Sequence, residues 1–98
     1  MLVVVPVKSE DGAKSIVTRV KDADLFAFVA LGEGMRIEDI AFKKSFENEM
    51  FDYIITPDKE DELDEAFDLG ARALLAMPGM SVEDIVEGLM FRELDEIM

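Results

Sequence analysis

Ninety-eight residues with a net charge of −13, no cysteine and no histidine fit one domain, 1–98, and exclude a disulfide-stapled fold, thiolate or imidazole metal ligation, and histidine-activated nucleophiles. The acidity is uneven: residues 1–49 carry seven Lys or Arg against nine Asp or Glu, and residues 50–98 carry three against fourteen. A nucleic acid or an anionic membrane surface therefore meets repulsion from the C-terminal half.

The chain opens with Met1-Leu-Val-Val-Val-Pro-Val7, far too short to span a bilayer and without the charged start and cleavage site of a signal peptide. A cytoplasmic location is the expectation. Leu2 to Val7 reads as a buried first strand, with Pro6 near its end, where a lost ladder donor matters least. Lys8-Ser-Glu-Asp-Gly12 reads as a turn. Ser15-Ile-Val-Thr-Arg-Val20 has strand composition without alternation and reads as either a strand or an extended loop. Leu25-Phe-Ala-Phe-Val-Ala-Leu31 is a strand. Gly32-Glu-Gly34 is a tight hairpin connection, and Met35 to Phe42 returns as the antiparallel partner, although Ile37 and Ile40 at spacing three leave a helix open. Residues 43–50 read as a loop or a single turn.

The organising stretch is 51–80. Tyr53-Ile-Ile55 is β-branched, aromatic and short, as suits a strand covered on both faces. Thr56-Pro57-Asp58 then predicts a helix start, either with Thr56 as cap and Pro57 in the first turn, or with Asp58 as cap and Asp61 three residues on. Leu63, Ala66, Phe67 and Leu69 follow at helical spacing, giving a helix of about ten residues, and Gly70 closes it. A strand from Arg72 follows, and strand–helix–strand makes a right-handed parallel crossover. Ser81-Val-Glu-Asp84 is a capping pattern, and Val82, Ile85, Val86, Leu89 and Met90 form one apolar stripe. Gly88 is a weak spot. Leu94 and Ile97 either continue this helix or pack as a tail. The predicted class is α/β, in two or three layers: a mixed sheet of four to five strands, antiparallel at the N-terminal end and then parallel with helices.

These segments resemble the dinitrogenase iron–molybdenum cofactor family, which includes NifX-like accessory proteins and the C-terminal domain of NifB-type proteins. The family's opening K-I-A-V-P-V strand corresponds to Leu2-Val-Val-Val-Pro-Val7. Its central V-D-V-V-I strand corresponds to Phe51-Asp-Tyr-Ile-Ile-Thr56. Its helix ending L-x-x-x-G-I-x-V-Y corresponds to Ala66-Phe-Asp-Leu-Gly-Ala-Arg-Ala-Leu74. Its closing G-T-V-E-E-A-I corresponds to Met80-Ser-Val-Glu-Asp-Ile-Val86. The resemblance covers most of the chain and is strongest from Phe51 onward. It implies a ribonuclease-H-like fold that carries iron–sulfur or iron–molybdenum clusters during cofactor assembly, without enzymatic turnover.

The departures are chemical. The family's S-x-H-F-G-R-A-x-x-F stretch aligns on Ala23-Asp-Leu-Phe26, and Arg19, Val20, Lys21 and Asp22 stand where it has His, Phe, Gly and Arg. Its Gly-rich turn after the central strand offers backbone N–H groups to an anion. Here that turn is Thr56-Pro-Asp-Lys-Glu-Asp-Glu62, where Pro57 removes a donor, Asp58 and Asp61 would occupy others as caps, and the acids repel an anionic cluster. The expectation is a non-enzymatic domain with an altered ligand site at the carboxyl ends of the first and central strands. Lys8, Arg19, Thr56, Pro57 and Asp58 are its candidate cofactor- or ligand-binding residues. The alternative is an acidic interaction module without a cofactor. The expected partner is a protein or a metallocofactor, with no nucleic acid and no membrane, in a monomer or a homodimer.

Other chemistries are weaker. Asp58, Glu60, Asp61, Glu62, Asp64 and Glu65 lack the alternation of a calcium loop and, on a helix, fan out over a solvated face. Met77, Met80 and Met90 read as core or turn filling. Ser9, Ser15, Ser45 and Ser81 have no base beside them, and Ser81 reads as a cap. Tyr53 reads as core. A two-metal nuclease needs a carboxylate on the first strand, and Leu2 to Val7 has none.

Overall fold

The structure, a computed structural model, describes residues 1–97. The strands are β1 (Leu2–Val7), β2 (Leu25–Leu31), β3 (Ile37–Lys43), β4 (Tyr53–Thr56), β5 (Arg72–Leu75) and β6 (Asp95–Ile97); the helices are α1 (Asp64–Asp68) and α2 (Val82–Met90). They build one six-stranded mixed sheet in the order β3-β2-β1-β4-β5-β6. β1 runs antiparallel to β2, Leu2 facing Ala30 and Val7 facing Leu25, and β2 runs antiparallel to β3. β1 runs parallel to β4, and β4 parallel to β5. The antiparallel N-terminal part and the parallel steps after it follow the sequence expectation.

The sheet separates two cores, because alternate side chains of a strand point to opposite faces. Val3, Val5 and Val7 join Val29, Ile55 and Leu74 beneath Val82, Ile85 and Val86 of α2. Val4 and Ile54 point the other way, to Phe26, Phe28, Phe46, Phe51, Leu63 and Ala66. On that second face one five-residue helix cannot cover the sheet. Phe46 and Phe51, from the loop between β3 and β4, supply the rest. Their rings meet Phe26, Phe28 and each other edge to face, with centroids 5.1 to 6.2 Å apart, the arrangement aromatic quadrupoles prefer. No helix among the described residues is long and apolar enough to cross a membrane.

The strand count, the tail after α2, the start of α1 and the place of Tyr53 differ from expectation, and two open alternatives are resolved. The sheet has six strands rather than four or five, because Leu94 and Ile97 belong to neither a longer helix nor a loose tail. Beyond α2, the N–H of Glu93 bonds the carbonyl of Gly88 at 2.8 Å and Arg92 takes φ +56°, a Schellman-type reversal. The chain then returns as β6, antiparallel to β5. Gly88 packs closely there: a Cβ on it would stand 3.1 Å from Leu94 Cδ2, so the Leu94 side chain would have to give by a few tenths of an ångström. The helix expected from Thr56, Pro57 or Asp58 begins only at Asp64. Its end is as expected: Gly70 at φ +88° closes a Schellman motif in which Ala71 N–H bonds Ala66 at 3.1 Å and Gly70 N–H bonds Phe67 at 2.9 Å. Residues 15–18 are an extended loop, held by single bridges from Val17 to Val7 and from Ile16 to Ser81. Residues 37–43 are strand, so the helical alternative falls. Tyr53 is half-buried at the margin of the core.

Candidate functional site

β1, β3, β4 and β5 all end at one edge of the sheet, where β2 begins. The loops there position the candidate residues. Thr56 is the last residue of β4 and fully buried. Its hydroxyl donates to Asp61 Oδ2 at 2.7 Å and accepts from the N–H of Asp58 at 3.2 Å. The Asp61 carboxylate, only 9% exposed, also accepts from the N–H of Val20 at 2.5 Å, of Glu62 at 2.8 Å and of Lys21 at 3.4 Å. It thereby ties the loop after β4 to the turn over Val20–Asp22 that precedes β2. This inward pull explains the late helix start: residues 57–63 wind around the Asp61 carboxylate instead of presenting it on a helix face.

The remaining candidates sit at the rim. Arg19 donates through Nε to Asp22 Oδ2 at 2.7 Å, pairs through Nη2 with the same oxygen at 2.6 Å, and lies 3.7 Å from Asp58. The hydrogen bond and charge of Asp22, with smaller help from Asp58 and Asp61, push its guanidinium above its ordinary pKa. The Arg19 side chain is 42% exposed, so water screens these pairs. Pro57 is half-buried between Thr56 and Asp58. Lys8 is exposed one residue beyond β1 and makes no hydrogen bond or ion pair among the described residues. Arg19, Thr56, Pro57 and Asp58 thus come together around Asp61, while Lys8 is not drawn in.

Beside this knot opens a cleft of about 610 Å³, lined by Val20, Phe26, Lys44, Ser45, Phe46 and residues 61–65. Val20, Phe26, Phe46 and Leu63 are apolar. Glu62, Asp64, Glu65 and Lys44 give the rim a net negative charge. The expectation that Asp58 and Asp61 occupy backbone donors holds, but the sequence reading reached neither the Lys44–Ser45–Phe46 wall nor the tie from Asp61 to Val20 and Lys21. One signal was there to find: Asp61 stands five residues beyond Thr56, close enough for a loop to fold its carboxylate back onto the strand end.

What the arrangement can hold follows from its donors. The N–H groups of Val20, Lys21, Asp58, Glu60 and Glu62 are all taken by the side chains of Asp61, Thr56 or Asp58. A carboxylate of the chain itself thus fills the place a bound anion would take. The donor set does not fit an iron–sulfur or iron–molybdenum cluster. The chain has no Cys or His, and no group of three or more carboxylates could hold a metal ion among the described residues. Met77, 72% exposed, opens the turn that the Met80 N–H closes on its carbonyl at 3.2 Å, and Met80 packs against the α2 core, while Met90 is 47% exposed on α2, contrary to the expectation that it fills core or turn. No nucleophile is poised either. Ser15 and Ser45 accept backbone N–H groups of Asp11 and Glu47, and Ser81 caps α2 reciprocally with Asp84 at 3.1 and 3.2 Å.

No family model matches the chain, and no curated protein matches it by sequence. Solved structures do match by fold. The crystal structure of PH0822 superimposes with a TM-score of 0.77 at 15% identity, covering 98% of this chain and 96% of that one. The NMR structure of a Thermotoga protein, TM1290, assigned as a NifB protein and placed in the DUF35 family, superimposes with a TM-score of 0.70 at 16% identity, covering 97% and 91%. The α/β class and the mixed sheet are shared at these identities; ligands and activities are not thereby transferred.

Proposed function

We propose that the chain is a non-enzymatic accessory-type domain of nif-related, ribonuclease-H-like fold whose ligand site is altered, so that it refuses anionic metal clusters and receives a positively charged group. The strand order β3-β2-β1-β4-β5, with β2 antiparallel, supports the fold assignment, and the likeness to the NifB-assigned Thermotoga structure supports the nif relation. The observation that carries the altered site is Asp61. Its buried carboxylate takes the backbone and hydroxyl donors that an anion would need. What remains open beside it is a cleft with an apolar floor and an acidic rim, which suits a basic side chain with an apolar stem.

Amide NMR titrations of the labelled protein test this reading. Anaerobic addition of an iron–sulfur cluster is expected to leave residues 19–22 and 56–62 unmoved. An arginine-rich peptide carrying an aromatic residue is expected to shift Phe46 and residues 62–65 saturably, less so in high salt. Saturable cluster shifts at Arg19 and at residues 56–58 would overturn the reading and restore a cluster-carrying role. A peptide that moves nothing in the cleft would remove the second half of the proposal.

A further inference from the structure

The two edges of the sheet form a second surface, which shares only Lys44 with the cleft. An edge strand presents a row of unpaired N–H and C=O groups, a template for another strand unless the sequence blocks it. Here the edges differ. β6 is three residues long, two of them acidic, and belongs to the half of the chain with three basic residues against fourteen acidic. β3 is seven residues long, without proline, and belongs to the nearly neutral half. From residue 38 to 44 the sequence is Glu-Asp-Ile-Ala-Phe-Lys-Lys. Read backwards, every charge inverts and every apolar position stays apolar.

We propose that two copies of the chain join edge to edge through β3, antiparallel, about a two-fold axis at Ala41, so that one sheet runs through both. In that register Asp39 stands opposite the partner's Lys43 and Ile40 opposite the partner's Phe42, with Ala41 facing its own copy; Glu38, the unpaired residue of the bulge near the start of β3, and Lys44, one residue past β3, bring opposite charges to each end of the ladder. Directly opposed residues of an antiparallel pair share a face with Cβ atoms about 4.5–5.5 Å apart, where opposite charges attract and like charges repel. Sliding the register by two residues one way sets Lys44 against Arg36 and Asp39 against Ala41. Sliding it the other way sets Lys43 against Ala41 and Lys44 against Ile40. A parallel in-register pair would set every charge against its like. The pattern thus selects one pairing.

The packing agrees. Ile40 and Phe42 are half-buried against the α2 core, and Ala41 against the aromatic core, so the pairing continues both layers across the axis. The Lys43 Nζ lies 4.7 Å from the Phe28 ring centre and 3.1 Å from Glu49 of its own chain, so pairing with the partner's Asp39 shares or replaces the Glu49 contact. Long-range charge agrees as well. β4, β5 and β6, which the acidic half contributes, lie toward the opposite edge, so approach through β3 keeps the two strongly negative halves apart. A two-fold, self-complementary contact of this kind closes on itself and does not propagate into fibres.

Sedimentation equilibrium on the full chain tests the proposal by charge exchange. The wild type is expected to be a dimer. E38K/D39K makes the edge wholly basic and K43E/K44E makes it wholly acidic, so each alone is expected to raise the dimer dissociation constant at least tenfold. Mixed in equal amounts they are expected to form a heterodimer, because every opposed pair is then of opposite sign. Since K43E also breaks the Glu49 pair, E38K and K44E repeat the exchange at the outer positions alone, with far-UV circular dichroism confirming that each variant is folded. A wild type that stays monomeric up to about 1 mM overturns the proposal. So does a dimer that survives the folded charge variants, or a mixture that fails to reassociate.

Discussion

Asp61→Ala is the perturbation that most directly separates this structure from a generic acidic surface. The carboxylate is nearly buried and accepts from Val20 N–H at 2.5 Å and from the Thr56 hydroxyl at 2.7 Å. Removing it leaves the half-buried Val20 N–H without its partner and the Thr56 hydroxyl with only the Asp58 carbonyl, 3.3 Å away, while Lys21 and Glu62 are exposed and their N–H groups can turn to water. A buried donor left without a partner costs roughly 1–3 kcal/mol, so the expected loss is about 3 kcal/mol. For a domain of this size that lowers the midpoint of thermal unfolding by roughly 12–24 °C. In urea, with a slope of about 1–3 kcal/mol per molar, the midpoint falls by roughly 1–3 M. Arg19→Ala is the internal control: it removes a pair whose side chains are 42% and 36% exposed and is expected to cost less than about 1 kcal/mol. Adding Thr56→Val to Asp61→Ala removes the Thr56 donor but also the acceptor of the Asp58 N–H, so the double variant is expected to stay within about 1 kcal/mol of Asp61→Ala. Urea unfolding followed by circular dichroism reads all four proteins. An Asp61→Ala protein within about 0.5 kcal/mol of the wild type would refute the reasoning, because surface substitutions have effects of that size.

Other perturbations test other parts of the fold. Arg92→Gly relieves a left-handed residue at φ +56° and is expected to stabilise by roughly 0.5–1 kcal/mol; a lower unfolding midpoint would mean the reversal after α2 is built differently. Ser81→Ala removes one arm of the capping box with Asp84 and is expected to cost about 1 kcal/mol, an effect that chemical denaturation resolves and that should vanish if the cap is not formed. Phe46→Ala deletes the ring that meets Phe26 and Phe51 edge to face at 5.1 and 5.7 Å and is expected to cost about 3–5 kcal/mol. A loss under about 1 kcal/mol would mean that the loop between β3 and β4 does not cover the sheet.

The central strands and α2 were legible because their signals are local. Leu2 to Val7, Leu25 to Leu31 and Tyr53 to Ile55 are short apolar runs, and Ser81 with Asp84 announces a helix start by itself. β6 was not legible: Asp95-Glu-Ile97 carries one apolar residue, and its strand character comes from the open edge of β5 rather than from its own composition. The site was half legible. Thr56, Pro57, Asp58 and Arg19 lie in the loops above the parallel strands, where the candidate site was sought. Asp61 was legible as an occupant of backbone donors but not in its partners across the fold, because those come from the meeting of residues forty-one apart. The Lys44–Phe46 wall of the cleft escaped for the same reason, since its role depends on which face of the sheet lacks a second long helix.

The place of β1 has a consequence for how the chain is made. It lies between β2 and β4, and its parallel partner begins about fifty residues after it in sequence, Val3 facing Tyr53. On a growing chain the β1–β2–β3 antiparallel unit can close early, since hairpin contacts are local and quick. The other edge of Leu2-Val-Val-Val5 then stays unpaired until Thr56 has emerged, a short, uncharged, β-branched edge of the kind that recruits other chains. Slower synthesis through residues 44–56 would lengthen that exposure, and faster delivery of Tyr53-Ile-Ile55 would shorten it. The yield of soluble protein should therefore respond to codon choice in this one window more than to codon choice after it.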